Sequence, residues 1–201
     1  MKYTWLIDSG HGGMVDGEYV TAPAKMYEFN PGEVYYEGVG NRYFKQRLID
    51  RLEVEAIHCI DVCPTELDVP LTTRVGIINQ YHKQYKNAVL ISLHSNAGGG
   101  TGFEVFTSVG DTRSDRFAQL LSQRIIDSFS GAPFRKDESD GDLDKESQFY
   151  ILAETTCPAL LPECLFFDNY SDYQLLIDPT FQTEYVDCLV GFIKVCENMD
   201  L

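Results

Sequence analysis

The chain has 201 residues, 44% hydrophobic and 12% aromatic, which is enough apolar material for one domain with its own core. Sixteen Lys and Arg against 31 Asp and Glu leave a formal charge of −15, which argues against nucleic acid as a partner, because phosphate backbones bind basic surfaces. No apolar run is long enough to cross a membrane, and six cysteines without C-x-x-C spacing read as reduced, mostly buried thiols.

Tyr3 to Asp8 predicts a first strand, followed by the glycine-rich Ser9-Gly10-His11-Gly12-Gly13. Its apolar run is too short for a signal peptide, so synthesis in the cytoplasm and release by another route are expected. Met14 to Tyr36 is a long excursion broken by Pro23, Pro31 and Gly32. Glu37 to Leu52 has helical spacing, with Phe44, Leu48 and Leu52 on one stripe. Val54 to Val62 predicts a strand and Pro70 to Tyr85 a helix. Ala88 to Leu93 is apolar throughout and suits a strand buried on both faces. Gly102 to Phe106 predicts another strand, and Arg113 to Phe129 an amphipathic helix. Arg135 to Glu146 is polar and acidic, and reads as an exposed loop. Pro158 to Phe167 predicts a buried strand. A closing helix runs from Pro179 to Asn198, with proline tolerated in its first turn. Strands alternating with helices imply an α/β fold with a mostly parallel central sheet and helices on both faces. No repeat or linker divides the chain, so residues 1–201 are expected to form a single catalytic domain without a wall-binding module.

Ligands of open parallel sheets collect beyond the carboxyl ends of the strands. His11 follows the first strand, and His94 follows the strand ending at Leu93. Glycines beside both let the backbone turn sharply and let a ligand come close. Glu37 shares a helical stripe with Asn41, Phe44 and Leu48. A carboxylate on a core-facing stripe is costly unless a cation neutralises it. Two histidines and a glutamate with an open fourth position form a known catalytic zinc set. Glu163 interrupts an apolar run, where desolvation would raise its pKa and suit it to proton transfer. Each residue alone has a plainer reading: a loop histidine, a helix-start carboxylate, a solvent-facing strand end. Glu33 rivals Glu37 as the third ligand, and Glu37 is preferred because Asn41 and the apolar stripe fix its phase. His58 and His82 read as structural. The set points to a zinc-dependent hydrolase.

At these residues the chain resembles a known family. Ile7-Asp8-Ser9-Gly10-His11-Gly12-Gly13, Glu37 with Asn41, and Leu71-Thr72-Thr73-Arg74 with Asn79 are similar to motifs of the zinc-dependent N-acetylmuramoyl-L-alanine amidases of the Amidase_3 type. So are Ile91-Ser92-Leu93-His94-Ser95-Asn96-Ala97 with Gly102-Phe103-Glu104-Val105-Phe106, and Cys157-Pro158-Ala159-Leu160-Leu161-Pro162-Glu163 with Phe166, Asn169 and Asp172. The five blocks follow the family order from near Asp8 to near Asp172. The resemblance implies a phosphorylase/hydrolase-like fold and hydrolysis of the amide between the lactyl group of N-acetylmuramic acid and L-alanine in peptidoglycan. It implies zinc on His11, Glu37 and His94, with Glu163 as catalytic base and then acid. Asn96 and Arg74 are candidate substrate contacts, and Arg74 has a structural acid as its other possible partner. Tyr27, Tyr35 and Tyr36 could wall a cleft or simply pack. Ser9 stands where the family has proline, and Pro162 precedes Glu163 where an apolar residue is usual. A phage or prophage endolysin is the expected setting. Another zinc amidohydrolase or peptidase, or a non-catalytic wall-binding module of the same fold, are the alternatives.

Overall fold

The structure, a computed structural model, describes residues 1–21, 23, 25–139 and 141–201. Its centre is a six-stranded sheet in the order β6-β1-β7-β10-β8-β9. These strands are β1 (Thr4–Ser9), β6 (Cys59–Asp61), β7 (Ala88–Asn96), β8 (Glu104–Thr107), β9 (Lys145–Glu146) and β10 (Ala159–Phe166). All neighbours are parallel except β8 and β10. The excursion after β1 forms two hairpins, β2 (Met14–Val15) with β3 (Glu18–Tyr19), and β4 (Met26–Asn30) with β5 (Glu33–Tyr36).

Strand alternation sends successive side chains to opposite faces. Trp5, Ile7, Val89, Ile91 and Leu93 share one core with α1 (Glu37–Val54), α3 (Arg113–Ser128) and α6 (Pro179–Cys196). Leu6, Ala88 and Leu90 share the other with α2 (Leu71–Gln84) and α4 (Tyr150–Ala153). The last helix, α5 (Tyr170–Leu176), is capped by Asn169, whose side chain accepts from Ser171 and Asp172 N–H groups. All six cysteines are free thiols, five of them buried.

Register sets the active edge. Ser9 lies opposite Leu93 across β1 and β7, and His94 lies opposite Glu163 across β7 and β10. Residues more than 60 positions apart therefore meet at one end of the sheet.

Four expectations need correction. The strand expected from Val54 begins only at Cys59, because α1 continues through Val54. Burial of Phe44, Leu48 and Leu52 against the sheet outweighs the strand preference of Val54. The helix ends at Glu55, and Ala56 takes a left-handed φ of 55°. The strand expected from Gly102 starts two residues later, since Gly102 turns at φ 92° and its N–H donates to Asp172. Helices α4 and α5 had no periodic signal, being four and seven residues long. The expected loop from Arg135 to Glu146 is anchored at both ends. Arg135 and Lys145 reach the buried Glu104 at 2.7 and 2.6 Å, and β9 pairs with β8.

That segment carries one pH-dependent load. Asp144 is buried and accepts from Thr107 Oγ at 2.7 Å. Burial, with the charges of Asp142 and Asp115 added, pushes its pKa well above the aspartate range. The folded state then holds a proton that the unfolded state has already released. Stability should therefore fall as pH rises from about 4 towards neutrality. Asp144→Asn should flatten this slope in urea melts across that range. An unchanged slope would remove Asp144 as its source.

Candidate metal centre

His11 follows β1, Glu37 opens α1, and His94 and Glu163 lie within β7 and β10; the strand expected to end at Leu93 runs on to Asn96, so His94 is a strand residue rather than one that follows the strand. His11 follows β1 in a left-handed turn, φ 67°. The turn is held from below by Arg74 of α2. Its guanidinium pairs with Asp8 at 2.8 Å, donates to the His11 carbonyl at 2.8 Å and to Val69 O at 2.9 Å, and also contacts Ser9 O. Arg74 and Asp8 are 2% and 0% exposed. The substrate contact entertained for Arg74 is thus corrected. Every nitrogen of its fork serves the protein, and it lies beneath the site rather than in the cavity.

Glu37 opens α1 and is 3% exposed. Phe44 and Leu48, one stripe further along, dock in the core and set the helix's rotation. Asn41 supports the carboxylate from one turn away, donating to Oε1 at 3.3 Å. Glu37 Oε2 meets His11 Nε2 at 3.2 Å, and Oε1 meets His94 Nδ1 at 3.0 Å. The two imidazoles stand edge to face, 5.1 Å apart. Gly10 makes this closeness possible, because a Cβ there would lie 2.0 Å from His94 Cε1. The rival, Glu33, lies on the exposed hairpin and accepts from Asn30 instead.

Ligand atoms of His11, Glu37 and His94 all lie within 4.8 Å of one another. Tetrahedral zinc with bonds of about 2.1 Å spaces its ligand atoms by about 3.4 Å. Two neutral nitrogens and one buried carboxylate suit a divalent ion of intermediate softness. The residues fit such an ion. Without it, burial would raise the Glu37 carboxyl, but the two histidines hold it down at about 2. Burial lowers the His94 imidazole, yet Glu37 and Glu163 raise it further, so its pKa is up on balance.

Glu163 stands beside His94 in the neighbouring strand. Its Oε2 is buried without a hydrogen-bond partner among the described residues. Burial pushes its pKa up to about 8, with Glu37 and Glu104 adding to the effect and His94 opposing it. Pro162 leaves this placement intact, since β10 keeps its antiparallel partner Val105 at that position.

A cavity of about 300 Å³ opens over these four residues. Leu71, Leu161, Phe167 and the exposed Phe149 and Tyr150 make its apolar walls, and Lys25 and Asn96 also line it. Asn96 donates to Glu104 at 2.6 Å and accepts from Ala97 N–H, so its amide is already engaged. The three tyrosines pack rather than line the cavity: Tyr35 is buried against Phe167, Tyr27 lies on Phe29, and Tyr36 on Tyr19. His58 and His82 lie elsewhere, beside Thr4 and Thr156. Lys25, Phe149 and Tyr150 went unnoticed in the sequence. No local pattern marks them, because only the folded chain brings them to the cavity.

Comparison with known proteins agrees with this geometry. The family model described as N-acetylmuramoyl-L-alanine amidase, Amidase_3, matches residues 6–194. The N-acetylmuramoyl-L-alanine amidase CwlM of Bacillus licheniformis is 33% identical over 115 residues, which is 56% of this chain and 40% of that protein. The chain thus aligns with less than half the length of that curated relative. Among solved structures, an N-acetylmuramoyl-L-alanine amidase from Clostridium difficile 630 superposes with a TM-score of 0.77 at 24% identity, covering 99% and 98% of the two chains. The catalytic domain of CwlV from Bacillus (Paenibacillus) polymyxa var. colistinus gives 0.76 at 21% identity, over the whole of both chains. The chain belongs to the Amidase_3 family of N-acetylmuramoyl-L-alanine amidases.

Proposed function

We propose that this member of the amidase family hydrolyses the amide between the lactyl group of N-acetylmuramic acid and L-alanine in peptidoglycan, with zinc held by His11, Glu37 and His94. The observation that carries the reading is the meeting of two imidazoles and two carboxylates in one cavity: Glu37 touches both histidines, and Glu163 stands next to His94. A bound zinc supplies Lewis acidity towards a carbonyl oxygen and a water.

The protein's own groups do the rest. The glycines around His11 make room for protein atoms, since a Cβ at Gly10, Gly12 or Gly13 would meet His94, Asp68 or Glu66, whereas Gly98 and Gly99 beyond β7 face open space. Leu71, Phe149 and Leu161 give one side of the cavity an apolar wall. The carboxyl of Glu163 takes a proton from the attacking water at Oε2 and returns it to the departing L-alanine nitrogen.

The test is digestion of purified peptidoglycan by the zinc-loaded protein, with mass spectrometry of the products. Peptides with a new free L-alanine amine are expected, and removal of the metal by a chelator should abolish them. Cleavage within the glycan or between peptide residues would overturn the reading. The narrower part of the proposal is the setting, a phage or prophage endolysin acting on the wall after release. The catalytic fold supports it only as far as it supports any wall amidase, so it has its own test. Added protein should clear a suspension of permeabilised bacteria within minutes, and persistent turbidity alongside active amide cleavage would reject it.

A further inference from the structure

We infer that Lys25 is a specificity residue that binds a carboxylate of the substrate's peptide stem. The inference rests on the amidase reading above. Lys25 is the one cationic side chain among the described residues that line the cavity. It is exposed, and no ion-pair partner lies within 4.0 Å of its ammonium among the described residues. Lys25 and Glu163 line the same cavity.

The backbone of Lys25 is fixed to the site itself. Its carbonyl accepts from the Glu37 N–H at 2.9 Å and from the Tyr19 hydroxyl at 3.1 Å. The same Tyr19 hydroxyl accepts from Gly38 N–H at 3.0 Å. Glu37 and Gly38 begin α1, so the Lys25 backbone is tied to the first turn of the helix that carries the proposed ligand. A long, flexible side chain thus sits on a rigid base at the cavity edge. A free cation in that place, in a chain of charge −15, has a clear electrostatic use. The protein's field repels an acidic peptide, and Lys25 offers a local site of opposite sign. A stem peptide carries free carboxylates beyond the bond to be cleaved.

The experiment compares two soluble substrates, N-acetylmuramoyl-L-alanyl peptides that differ only in one stem carboxylate, free or converted to carboxamide. The zinc-loaded wild-type chain should favour the free carboxylate by about tenfold in kcat/KM, mainly through KM, the size expected of one charge-assisted hydrogen bond. Lys25→Met should bring this ratio near one, and Lys25→Arg should keep most of it. A structural fault would slow both substrates alike and leave the ratio standing. A ratio unchanged in Lys25→Met overturns the proposal, as does a wild type without preference. If the wild type cleaves neither substrate, the amidase reading falls first and this proposal with it.

Discussion

Glu163→Gln should lower kcat by about 10²–10⁴, the contribution typical of a positioned proton-transfer group, while the protein still binds one metal ion. The side chains have the same shape, so the cavity wall is preserved. What is lost is the ability to accept and return a proton at Oε2, an atom that is buried and has no hydrogen-bond partner among the described residues. Gln adds donors instead of a basic oxygen, and nothing in the strand pair offers a replacement. Metal content by plasma mass spectrometry and kcat on a muramyl peptide separate the outcomes. Near-normal kcat would remove Glu163 from the mechanism. Lost metal would show that it supports the centre rather than the proton transfer. The loss should exceed that from any change at the cavity rim, because rim residues touch substrate only through binding.

The second large effect is expected at Arg74. Arg74→Met should cost about 3–5 kcal/mol of folding stability, the usual penalty for leaving one partner of a buried ion pair alone. Asp8 would keep its bond from Ser92 at 2.7 Å but lose the one cation at hydrogen-bond distance among the described residues. The carbonyls of Val69 and His11 would lose donors too. Zinc affinity should fall as well, since the turn that presents His11 hangs on that guanidinium. Urea denaturation checks the first part and a competitive zinc titration the second. Adding Asp8→Asn should recover part of the stability, because it removes the stranded charge. A cost below about 1 kcal/mol, the range of exposed pairs, would contradict the buried-pair account.

These two residues show how far a linear reading reaches. Glu163 was legible because a carboxylate within Leu160-Leu161-Pro162 and Cys164-Leu165-Phe166 breaks an apolar run, and such a break asks for a reason. Arg74 was legible only as an arginine in a motif. Its surroundings depend on Asp8, Ser9 and His11, more than 60 residues away along the chain.

Local patterns record local physics, and those the sequence determined by itself. Apolar runs and helical stripes marked the α/β alternation, and the glycine-flanked His11 marked the end of the first strand, while β7 runs past His94 to Asn96. The phase of Phe44 and Leu48 placed Glu37 on the inner stripe of its helix. Contacts across the chain are decided by strand register and by the packing of helices onto the sheet. The helical phase favoured Glu37 over Glu33, and the tertiary structure adds that the Glu37 carboxylate reaches both imidazoles. Only the tertiary structure could commit Asn96 to Glu104, or pull Arg135 and Lys145 out of an apparent loop. The same is true of Lys25. Its composition and neighbours in sequence are unremarkable, and its meaning comes from a carbonyl bonded to the first residue of the helix that bears Glu37.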